Sequence, residues 1–190
     1  MKLMIASDLH GDSTCTSMLL DRYRASGARR LILLGDILYH GPRNPLPTGY
    51  APKEVISLLS QPEVRDSLFC VRGNCDTEVD QMVLPFPILS ETALLFVDGR
   101  VWFAAHGHRA GANPTADDLP PLEEGSVFLS GHTHIPVLEA DGKGILRLNP
   151  GSVSLPKGGF PRSYALYEDG LFRILSLEGE EIRAMRWGTF

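Results

Sequence analysis

Five short groups of polar residues contain the side chains most able to do chemistry. They are Asp8-Leu9-His10, Gly35-Asp36, Gly73-Asn74-Cys75-Asp76, His106-Gly107-His108 and Gly131-His132-Thr133-His134. Oxygens of aspartate and asparagine, combined with imidazole nitrogens, suit manganese, iron or zinc better than copper or an iron–sulfur cluster. These groups therefore predict a metal centre.

Seven side chains in these groups are candidate metal ligands: Asp8, His10, Asp36, Asn74, His106, His132 and His134. Seven ligands are too many for one four-coordinate ion. Two divalent ions about 3.5–4 Å apart, sharing a ligand, are the usual arrangement for hydrolysis. Asp36 is the predicted shared ligand, because a carboxylate has two oxygens to divide between two ions and an imidazole does not.

The predicted site would be positively charged, since two dications face only two carboxylates. Such a site suits a phosphate oxygen and a metal-bound hydroxide. The oxygen and nitrogen ligands point to manganese, iron or zinc. Asn74 and His106 are predicted to act in catalysis as well as in metal binding, and His108 and Cys75 are further candidate catalytic residues.

Each polar group directly follows a short apolar run rich in β-forming residues. The runs are 3–6, 31–34, 68–71, 101–105 and 127–129. Sites in open α/β sheets form in the crevice beyond the carboxyl ends of strands, so five strand ends are expected to bring the ligands together. Asp8 and His10, like His132 and His134, are two residues apart, which in extended backbone places both side chains on one side.

The first half of the chain alternates strands with helices. Ser13 or Thr14 is expected to cap a helix that ends near Gly27, and 54–60 is expected to form a second helix. The segment 40–52, rich in proline and glycine, is expected to line a pocket.

The second half instead contains hairpin signals. The turns are Asp98-Gly99, Asp141-Gly142 and Asp169-Gly170, each between two apolar runs. Helices early and hairpins late predict two packed sheets with helices outside, in a single domain over residues 1–190.

The ordered motifs D-x-H, G-D, G-N-x-D, a histidine after an apolar strand, and G-H-x-H resemble the calcineurin-like metallophosphoesterases. Runs at 38–44, 71–81, 131–136 and 149–159 resemble the small bacterial branch of that superfamily, the YfcE-type phosphodiesterases, over essentially the whole chain. The resemblance implies an α/β fold, a four-layer α/β/β/α sandwich of two mixed sheets flanked by helices. It also implies hydrolysis of phosphomonoesters or phosphodiesters, often with manganese, by in-line attack of a hydroxide that bridges the two ions. Manganese is therefore the favoured ion, with zinc, iron and nickel as alternatives.

The same resemblance divides the ligands between two ions. One ion would be held by Asp8, His10, Asp36 and His134, and the other by Asp36, Asn74, His106 and His132. The predicted function is hydrolysis of a small phosphodiester by a metal-dependent phosphodiesterase.

Two alternatives stand beside this function. The first is a phosphomonoesterase with the same dinuclear site; monoesters usually recruit an extra cation, so a pocket without Arg43, Lys157 and Arg162 at the metals would favour the diester. The second is a non-catalytic protein-binding scaffold, as this fold serves in the retromer complex with degraded ligand positions. Here all seven ligand positions are intact.

One position departs from the superfamily pattern. Many relatives have G-N-H-[D/E], whose histidine protonates or stabilises the leaving group, where this chain has Cys75. A thiol with an ordinary pKa of about 8.5 is a poor substitute for an imidazolium near neutral pH. A preference for activated leaving groups is therefore expected, unless His108 or a metal-bound water serves as the acid.

Several other residues have two interpretations. Asp76 either orients a neighbouring histidine or caps the next helix. His40 either lines the pocket or packs within its loop. Arg43, Lys157 and Arg162 either steer phosphate or only face solvent. The segment 149–152 is expected to be a tight turn packed under the site.

Composition limits the classes of protein and of binding partner that fit this chain. The chain has 190 residues, 43% hydrophobic and 22% charged, which excludes a disordered or a membrane protein. Its net charge of -5, with no basic run longer than Arg29-Arg30, disfavours stably bound nucleic acid and leaves a small-molecule phosphate ester as the expected partner. Three cysteines leave one unpaired, which suits a reducing compartment, and no signal peptide is recognised, so a cytoplasmic location is expected. Hairpin edges leave a homodimer or homotetramer open.

Overall fold

The computed structural model describes residues 1–109 and 121–187. The strands in these ranges are β1 (Lys2–Ala6), β2 (Arg30–Leu33), β3 (Leu68–Cys70), β4 (Thr92–Val97), β5 (Arg100–Ala105), β6 (Val127–Leu129), β7 (Val137–Ala140), β8 (Leu146–Asn149), β9 (Ser163–Glu168), β10 (Leu171–Ser176) and β11 (Glu181–Arg186). The helices are α1 (Ser13–Ser26), α2 (Pro52–Leu59), α3 (Pro62–Arg65) and α4 (Glu78–Val83). No helix of the described residues is long and apolar enough to cross a membrane.

The strands form two mixed sheets, in the orders β11-β10-β9-β1-β2-β3 and β4-β5-β6-β8-β7. In the first sheet β1, β2 and β3 are parallel neighbours, and in the second β5, β6 and β8 are. The remaining pairs are antiparallel. The predicted fold class, α/β with two mixed sheets flanked by helices, is confirmed. Carboxyl ends of three parallel strands therefore meet at one edge of each sheet.

Successive apolar side chains of a strand point to opposite faces of the first sheet, so both faces are packed. In β1, Leu3 and Ile5 pack against Trp102 and other residues of the second sheet, in the layer between the sheets. Met4 and Ala6 point the other way, into a cluster with residues of α1 and α2. Because both faces of β1 are covered, its sequence is a continuous apolar run rather than an alternating one.

Helix α1 begins one residue earlier than its sequence suggested. The N-cap is Asp12, whose carboxylate accepts the backbone N–H of Cys15 at 2.9 Å, so the predicted Ser13 or Thr14 cap was wrong. An aspartate satisfies a free N–H of the first turn as well as a hydroxyl does. The predicted end of the helix is confirmed, because Gly27 adopts the left-handed conformation with φ 69°.

Two of the three predicted two-residue turns are present. Asp98-Gly99 has φ 47° and 76°, and Asp169-Gly170 has φ 46° and 81°, the two positive values that such hairpin turns require. The turn between β7 and β8 is longer than predicted, because Asp141 N–H bonds to the Ile145 carbonyl and Gly144 is the left-handed residue. Helix α2 begins at Pro52 rather than at 54, and α3, α4 and β11 were not predicted.

Candidate metal centre

The seven candidate ligands lie on loops that follow five strands. Asp8 and His10 follow β1, Asp36 follows β2, and Asn74 follows β3. His106 follows β5, and His132 and His134 follow β6 in the second sheet. The structure thus places the loops of both sheets around one crevice, at the carboxyl ends of parallel strands.

Five of these residues have unusual backbone conformations. Positive φ values occur at Asp8 (59°), His10 (48°), Asp36 (56°), His132 (65°) and His134 (60°). The expectation that extended backbone aligns the ligand pairs was therefore wrong, because tight left-handed turns present them instead. Each such residue costs about 1–3 kcal/mol, and strain of this kind is characteristic of functional sites.

The first ligand group consists of three buried side chains, Asp8, His10 and His134. His134 Nε2 lies 3.2 Å from Asp8 Oδ1 and 3.2 Å from His10 Nε2. His10 Nε2 lies 3.6 Å from the same carboxylate oxygen. Three potential ligand atoms therefore converge on one small volume.

The second ligand group contains Asp36, His106 and Asn74. His106 Nε2 lies 3.4 Å from Asp36 Oδ2 and 3.1 Å from Asn74 Oδ1. Asp36 Oδ2 also lies 3.7 Å from His10 Nε2 of the first group. Asp36 therefore stands between the two groups, as a shared ligand must.

Backbone carbonyls fix the orientation of three of these imidazoles. The Nδ1 atoms of His10, His106 and His134 lie 2.8, 2.6 and 2.6 Å from the carbonyl oxygens of Tyr39, Leu34 and Leu155. A carbonyl can only accept, so Nδ1 carries the proton and a neutral ring presents the Nε2 lone pair to the crevice. Such carbonyl contacts are the usual supports of metal-binding histidines.

These orientations test whether the residues fit a metal ion. With Nδ1 protonated and the rings neutral, as metal binding requires, the Nε2 lone pairs of His10 and His134 face each other and Asp8 Oδ1. Asp8 Oδ1 is buried and has no hydrogen-bond partner among the described residues. Electron-rich atoms at such distances repel unless a cation or an added proton lies among them. The residues therefore fit a divalent cation.

The buried charges strongly affect one another. Burial alone would raise the pKa of Asp8, but the imidazoles of His10 and His134 hold it well below its usual range. Burial would likewise raise the pKa of Asp36, and His106 lowers it. Burial alone would lower the pKa of His106, but the contact with Asp36 and the charge of Asp8 raise it to about 9. In the metal-free protein a proton on His106 partly replaces the cation.

This pKa predicts a pH dependence of stability in the metal-free protein. His106 changes from its ordinary value of 6.5 to about 9 on folding, so its stabilisation is complete below pH 6.5 and is lost as pH rises through 9. We expect a loss on the order of 3 kcal/mol in the free energy of unfolding, measured by urea unfolding after metal removal. In the His106→Gln variant the free energy of unfolding should depend less on pH between 6.5 and 9. If the variant and the unaltered protein showed the same pH dependence, His106 would not be the titrating group.

The two remaining histidines of the sequence motifs, His108 and His132, lie beside the second group. The ring centroid of His132 is 5.2 Å from that of His106, and its backbone N–H donates to Asp8 Oδ2 at 3.1 Å. The ring of His108 lies 5.6 Å from His106 and 6.2 Å from His132, with Nδ1 buried and unpartnered among the described residues. Burial and the neighbouring His106 lower the pKa values of both rings. The lowered pKa values disfavour the imidazolium form of both rings, which argues against His108 as the general acid.

Cys75 is held directly against the ligands. Its backbone N–H donates to Asp36 Oδ1 at 2.8 Å, and its Sγ accepts from Asn74 Nδ2 at 3.2 Å. Burial, together with the charge of Asp36, raises the pKa of the thiol. Cys75 is therefore a neutral thiol, even though its Sγ can join His10 and Asp36 in a third cluster of potential ligand atoms.

Asp76 joins two ligand loops, a role that its sequence did not reveal. Its carboxylate accepts the backbone N–H groups of Asp36, Ile37 and Gly73 at 2.8, 2.8 and 2.7 Å. A Cβ at Gly73 would collide with the backbone of Asp36, so only glycine permits this approach of the loops. Neither predicted role holds, because Thr77 caps α4 and, among the described residues, the carboxylate contacts no histidine within hydrogen-bonding distance.

A sixth loop, after β8, supports the first ligand group. Ser152 Oγ and Ser154 Oγ donate to the carbonyl oxygen of Asp8 at 2.8 and 3.0 Å. Asn149 Nδ2 donates to the Gly131 carbonyl at 2.7 Å. The segment 149–152 thus packs under the site, as its sequence predicted, and the two serines are functional supports that the sequence did not single out.

A cavity of ≈ 600 Å³ opens beside the ligands and is called the pocket below. Its lining comprises Asp36, Gly41, Pro42, Arg43, Asn44, Pro45, Asn74, Cys75, His132, Thr133, His134 and Lys157. The predicted pocket segment 40–52 thus contributes residues 41–45. Arg162 and His40 are not among the lining residues; the His40 ring instead packs between the rings of Tyr39 and Tyr50.

Known proteins resemble this chain over nearly its whole length. A family model described as the calcineurin-like phosphoesterase superfamily domain matches residues 1–169. Phosphodiesterase YfcE of Escherichia coli strain K12 is 45% identical over 184 residues, which are 97% of this chain and 96% of that protein. A solved structure of YfcE, described as a phosphoesterase from E. coli, has a TM-score of 0.92 and 43% identity over 99% of this chain and 100% of that one.

A more distant likeness concerns the fold alone. Vps29 from Entamoeba histolytica, solved in complex with zinc, has a TM-score of 0.60 at 17% identity over 98% of both chains.

Proposed function

Because the chain belongs to the calcineurin-like phosphoesterase superfamily, we propose that it is a metal-dependent phosphodiesterase acting on a small phosphodiester through two divalent ions. One observation carries the proposal: the buried atoms Asp8 Oδ1, His10 Nε2 and His134 Nε2 converge within 3.2–3.6 Å, while backbone carbonyls hold the Nδ1 atoms of both rings. When bound, two divalent ions supply Lewis acidity toward a phosphoryl oxygen and a nucleophile drawn from water. Manganese is the favoured ion, because the donors are oxygens and imidazoles.

The contacts support a division of ligands between two sites. Asp8, His10, Asp36 and His134 would hold one ion, and Asp36, Asn74, His106 and His132 the other. The four ligands of the first ion are linked by close contacts between their side chains. Asp36 and His106 of the second ion are also in contact. His132 is placed by the bond from its backbone N–H to Asp8.

The remaining residues position these ligands and shape the substrate site. Carbonyls of the chain keep three imidazoles in one tautomer, so their Nε2 atoms need no reorganisation before binding. Asn74 is an exposed, neutral ligand that lines the pocket and so meets the substrate side of its ion. A neutral ligand leaves that ion more electrophilic than a carboxylate would.

Hydrolysis of bis(p-nitrophenyl) phosphate tests the proposal. We expect turnover by the metal-loaded protein, none after chelation, and a loss of about a hundredfold in kcat for Asn74→Ala, a range seen when supports of metal sites are removed. Asn44→Ala is a matched control, since Asn44 also lines the pocket but its amide bonds to the His40 carbonyl. Its effect should be much smaller.

The same assay also tests the alternative that the protein is a non-catalytic scaffold. Absence of hydrolysis with each of manganese, zinc, iron and nickel would favour a non-catalytic protein-binding role. Equal loss of turnover in the Asn74 and Asn44 variants would contradict the assignment of Asn74 as a ligand.

The phosphomonoesterase alternative has one observation in its favour. Arg43 and Lys157 line the pocket, and an additional cation is what the second charge of a monoester usually recruits. The relative in which the activity is named is a phosphodiesterase, so the diester remains the proposal. If p-nitrophenyl phosphate were turned over much faster than the diester, the phosphomonoesterase would become the favoured function.

Replacing Cys75 by histidine tests the choice of leaving group. The neutral Cys75 thiol lines the pocket but is a weak acid, so the protein should favour leaving groups that depart without protonation. We expect Cys75→His to raise turnover of alkyl phosphodiesters more than that of aryl phosphodiesters. The increase should be at most about a hundredfold to ten-thousandfold, the range of general acid catalysis. Cys75→Ser is the size-matched control, and a change confined to aryl esters would contradict the idea.

Three broader features remain predictions of the sequence. They are the single domain over residues 1–190, the cytoplasmic location and assembly as a homodimer or homotetramer. A further prediction is that the protein does not bind nucleic acid stably. A binding assay with duplex and single-stranded DNA tests it.

A further inference from the structure

The pocket contains two cations that the metal ligands do not explain. Arg43 and Lys157, called the cation pair below, both line it. They come from distant parts of the chain, the loop after β2 and the loop after β8, and the ligand loops lie in the same lining. An arrangement assembled from two loops around one cavity calls for a common ligand.

Arg43 is held at the corner of a tight turn. The backbone N–H of Asn44 bonds to the Gly41 carbonyl at 3.3 Å, and the Asn44 side-chain amide donates to the His40 carbonyl at 2.9 Å. Pro42 and Pro45 on either side also line the pocket and restrict the backbone. The turn therefore holds the backbone of Arg43 at the pocket.

Lys157 is fixed by the ligand loop itself. Its backbone N–H donates to the carbonyl of His134 at 3.1 Å, and its carbonyl accepts the N–H of Phe160 at 3.3 Å. The first bond ties the position of Lys157 to a residue of the first ligand group. Its side chain lines the same pocket as His134, so a group bound by Lys157 would share the pocket with the scissile phosphate.

The charge environment of the cation pair differs from that of six other cations of the described chain. Lys2, Arg24, Arg65, Arg72, Arg109 and Arg147 each form an ion pair with a carboxylate. Within the described ranges Arg43 and Lys157 form no ion pair or side-chain hydrogen bond, and Asp36 is the one carboxylate in the pocket lining. A chain with a net charge of -5 thus presents unneutralised positive charge in its pocket.

We propose that Arg43 and Lys157 bind a second anionic group of the substrate, so that the substrate is a phosphodiester in which one alcohol carries a carboxylate or a phosphate. This inference rests on the proposed phosphodiesterase function and specifies its substrate class. Arginine binds both anions through two parallel hydrogen bonds, and lysine adds a point charge.

The other lining residues agree with a small, non-aromatic substituent. No phenylalanine, tyrosine or tryptophan is among the lining residues of the described chain, whereas nucleobases are usually held by stacking on such rings. Asn44 and Thr133 already use side-chain atoms in internal hydrogen bonds. The cation pair is therefore the main means of recognising the substituent.

Two matched esters test the proposal with the manganese-loaded protein. One is p-nitrophenyl 2-carboxyethyl phosphate, and the other is its 2-carbamoylethyl analogue, which has nearly the same size and no second charge. In both, a water oxygen bonds to phosphorus as the bond to p-nitrophenolate breaks, so both reactions are followed by the released phenolate. A difference in kcat/KM thus reports the carboxylate alone.

We expect the carboxylate ester to be preferred about tenfold, which corresponds to about 1.4 kcal/mol, and the ratio to fall to about one in Arg43→Gln/Lys157→Gln. High salt should shrink the preference in the unaltered protein, because exposed charges are screened. The Arg29→Gln/Lys53→Gln variant removes two exposed charges away from the pocket and should keep the ratio. A ratio near one in the unaltered protein, or a parallel loss on both esters in the pocket variant, would overturn the proposal.

A binding measurement separates this inference from the proposed function. Calorimetry should show tighter binding of 2-carboxyethyl phosphate than of 2-carbamoylethyl phosphate, and the pocket variant should lose that difference. If neither ester is hydrolysed but the binding difference is found, the proposed function fails and the anion site stands. If the two p-nitrophenyl esters are hydrolysed equally and the two alkyl phosphates bind equally, the function stands and the anion site is refuted.

Discussion

Asp36→Asn is expected to lower kcat for bis(p-nitrophenyl) phosphate by about a thousandfold or more, equivalent to at least about 4 kcal/mol of transition-state stabilisation. The reason is the position of Asp36 between the two ligand groups, with Oδ2 3.4 Å from His106 Nε2 and 3.7 Å from His10 Nε2. The amide removes the negative charge and one of two oxygens, so it cannot serve two cations. Both metal content and turnover should fall.

The variant must be distinguished from a misfolded protein. Asp36 Oδ1 also accepts the backbone N–H of Cys75 at 2.8 Å, a bond that an amide oxygen can keep. The fold should therefore survive, which the far-ultraviolet circular dichroism spectrum will show. Asp21→Asn, the same change on the exposed surface of α1, should leave turnover unchanged. Full turnover in a folded Asp36→Asn variant would contradict the shared-ligand role.

Asp76→Ala is expected to lower the free energy of unfolding by about 3–5 kcal/mol, because it leaves three buried backbone donors without acceptors. Those donors belong to Asp36, Ile37 and Gly73, and Asp76 itself is 1% exposed. The two loops that carry Asp36 and Asn74 lose their connection, so metal affinity should fall as well. Chemical denaturation of the metal-free protein isolates the first effect, and metal titration the second.

Asp80→Ala is a matched control for this change. Asp80 also accepts a backbone N–H, that of Thr77 at 2.8 Å, but the bond lies at the exposed start of α4. Loss of such a cap costs about 1 kcal/mol, and metal affinity should not change. Equal effects of the two substitutions would show that Asp76 does not connect the loops.

The order of strands and motifs made much of this centre predictable. Apolar runs directly before Asp8, Asp36, Asn74, His106 and His132 predicted the strand ends, and parallel pairing brings such ends to one edge. Asp-Gly turns at 98–99 and 169–170 predicted two hairpins, because few other sequences adopt two positive φ values in succession. These signals are local, so the sequence alone contains them.

Features that depend on distant contacts could not be predicted. The left-handed turns at Asp8 and His10 are imposed by hydrogen bonds to the loop after β2, and local preference disfavours them. Asp76 meets Asp36 and Ile37 only after two strands have paired. Strand β11 has exposed residues at most positions, so it lacks the apolar pattern that identifies a strand. The cation pair is assembled from residues more than a hundred positions apart.

Metal stoichiometry tests the central claim most directly. The metal-free protein is reconstituted with excess manganese, desalted and analysed by inductively coupled plasma mass spectrometry, with Asp36→Asn and Asp21→Asn treated in parallel. The account predicts two equivalents per chain in the unaltered protein and in Asp21→Asn, and at most one in Asp36→Asn. A single equivalent in the unaltered protein, or two in Asp36→Asn, would contradict a dinuclear centre that shares this carboxylate.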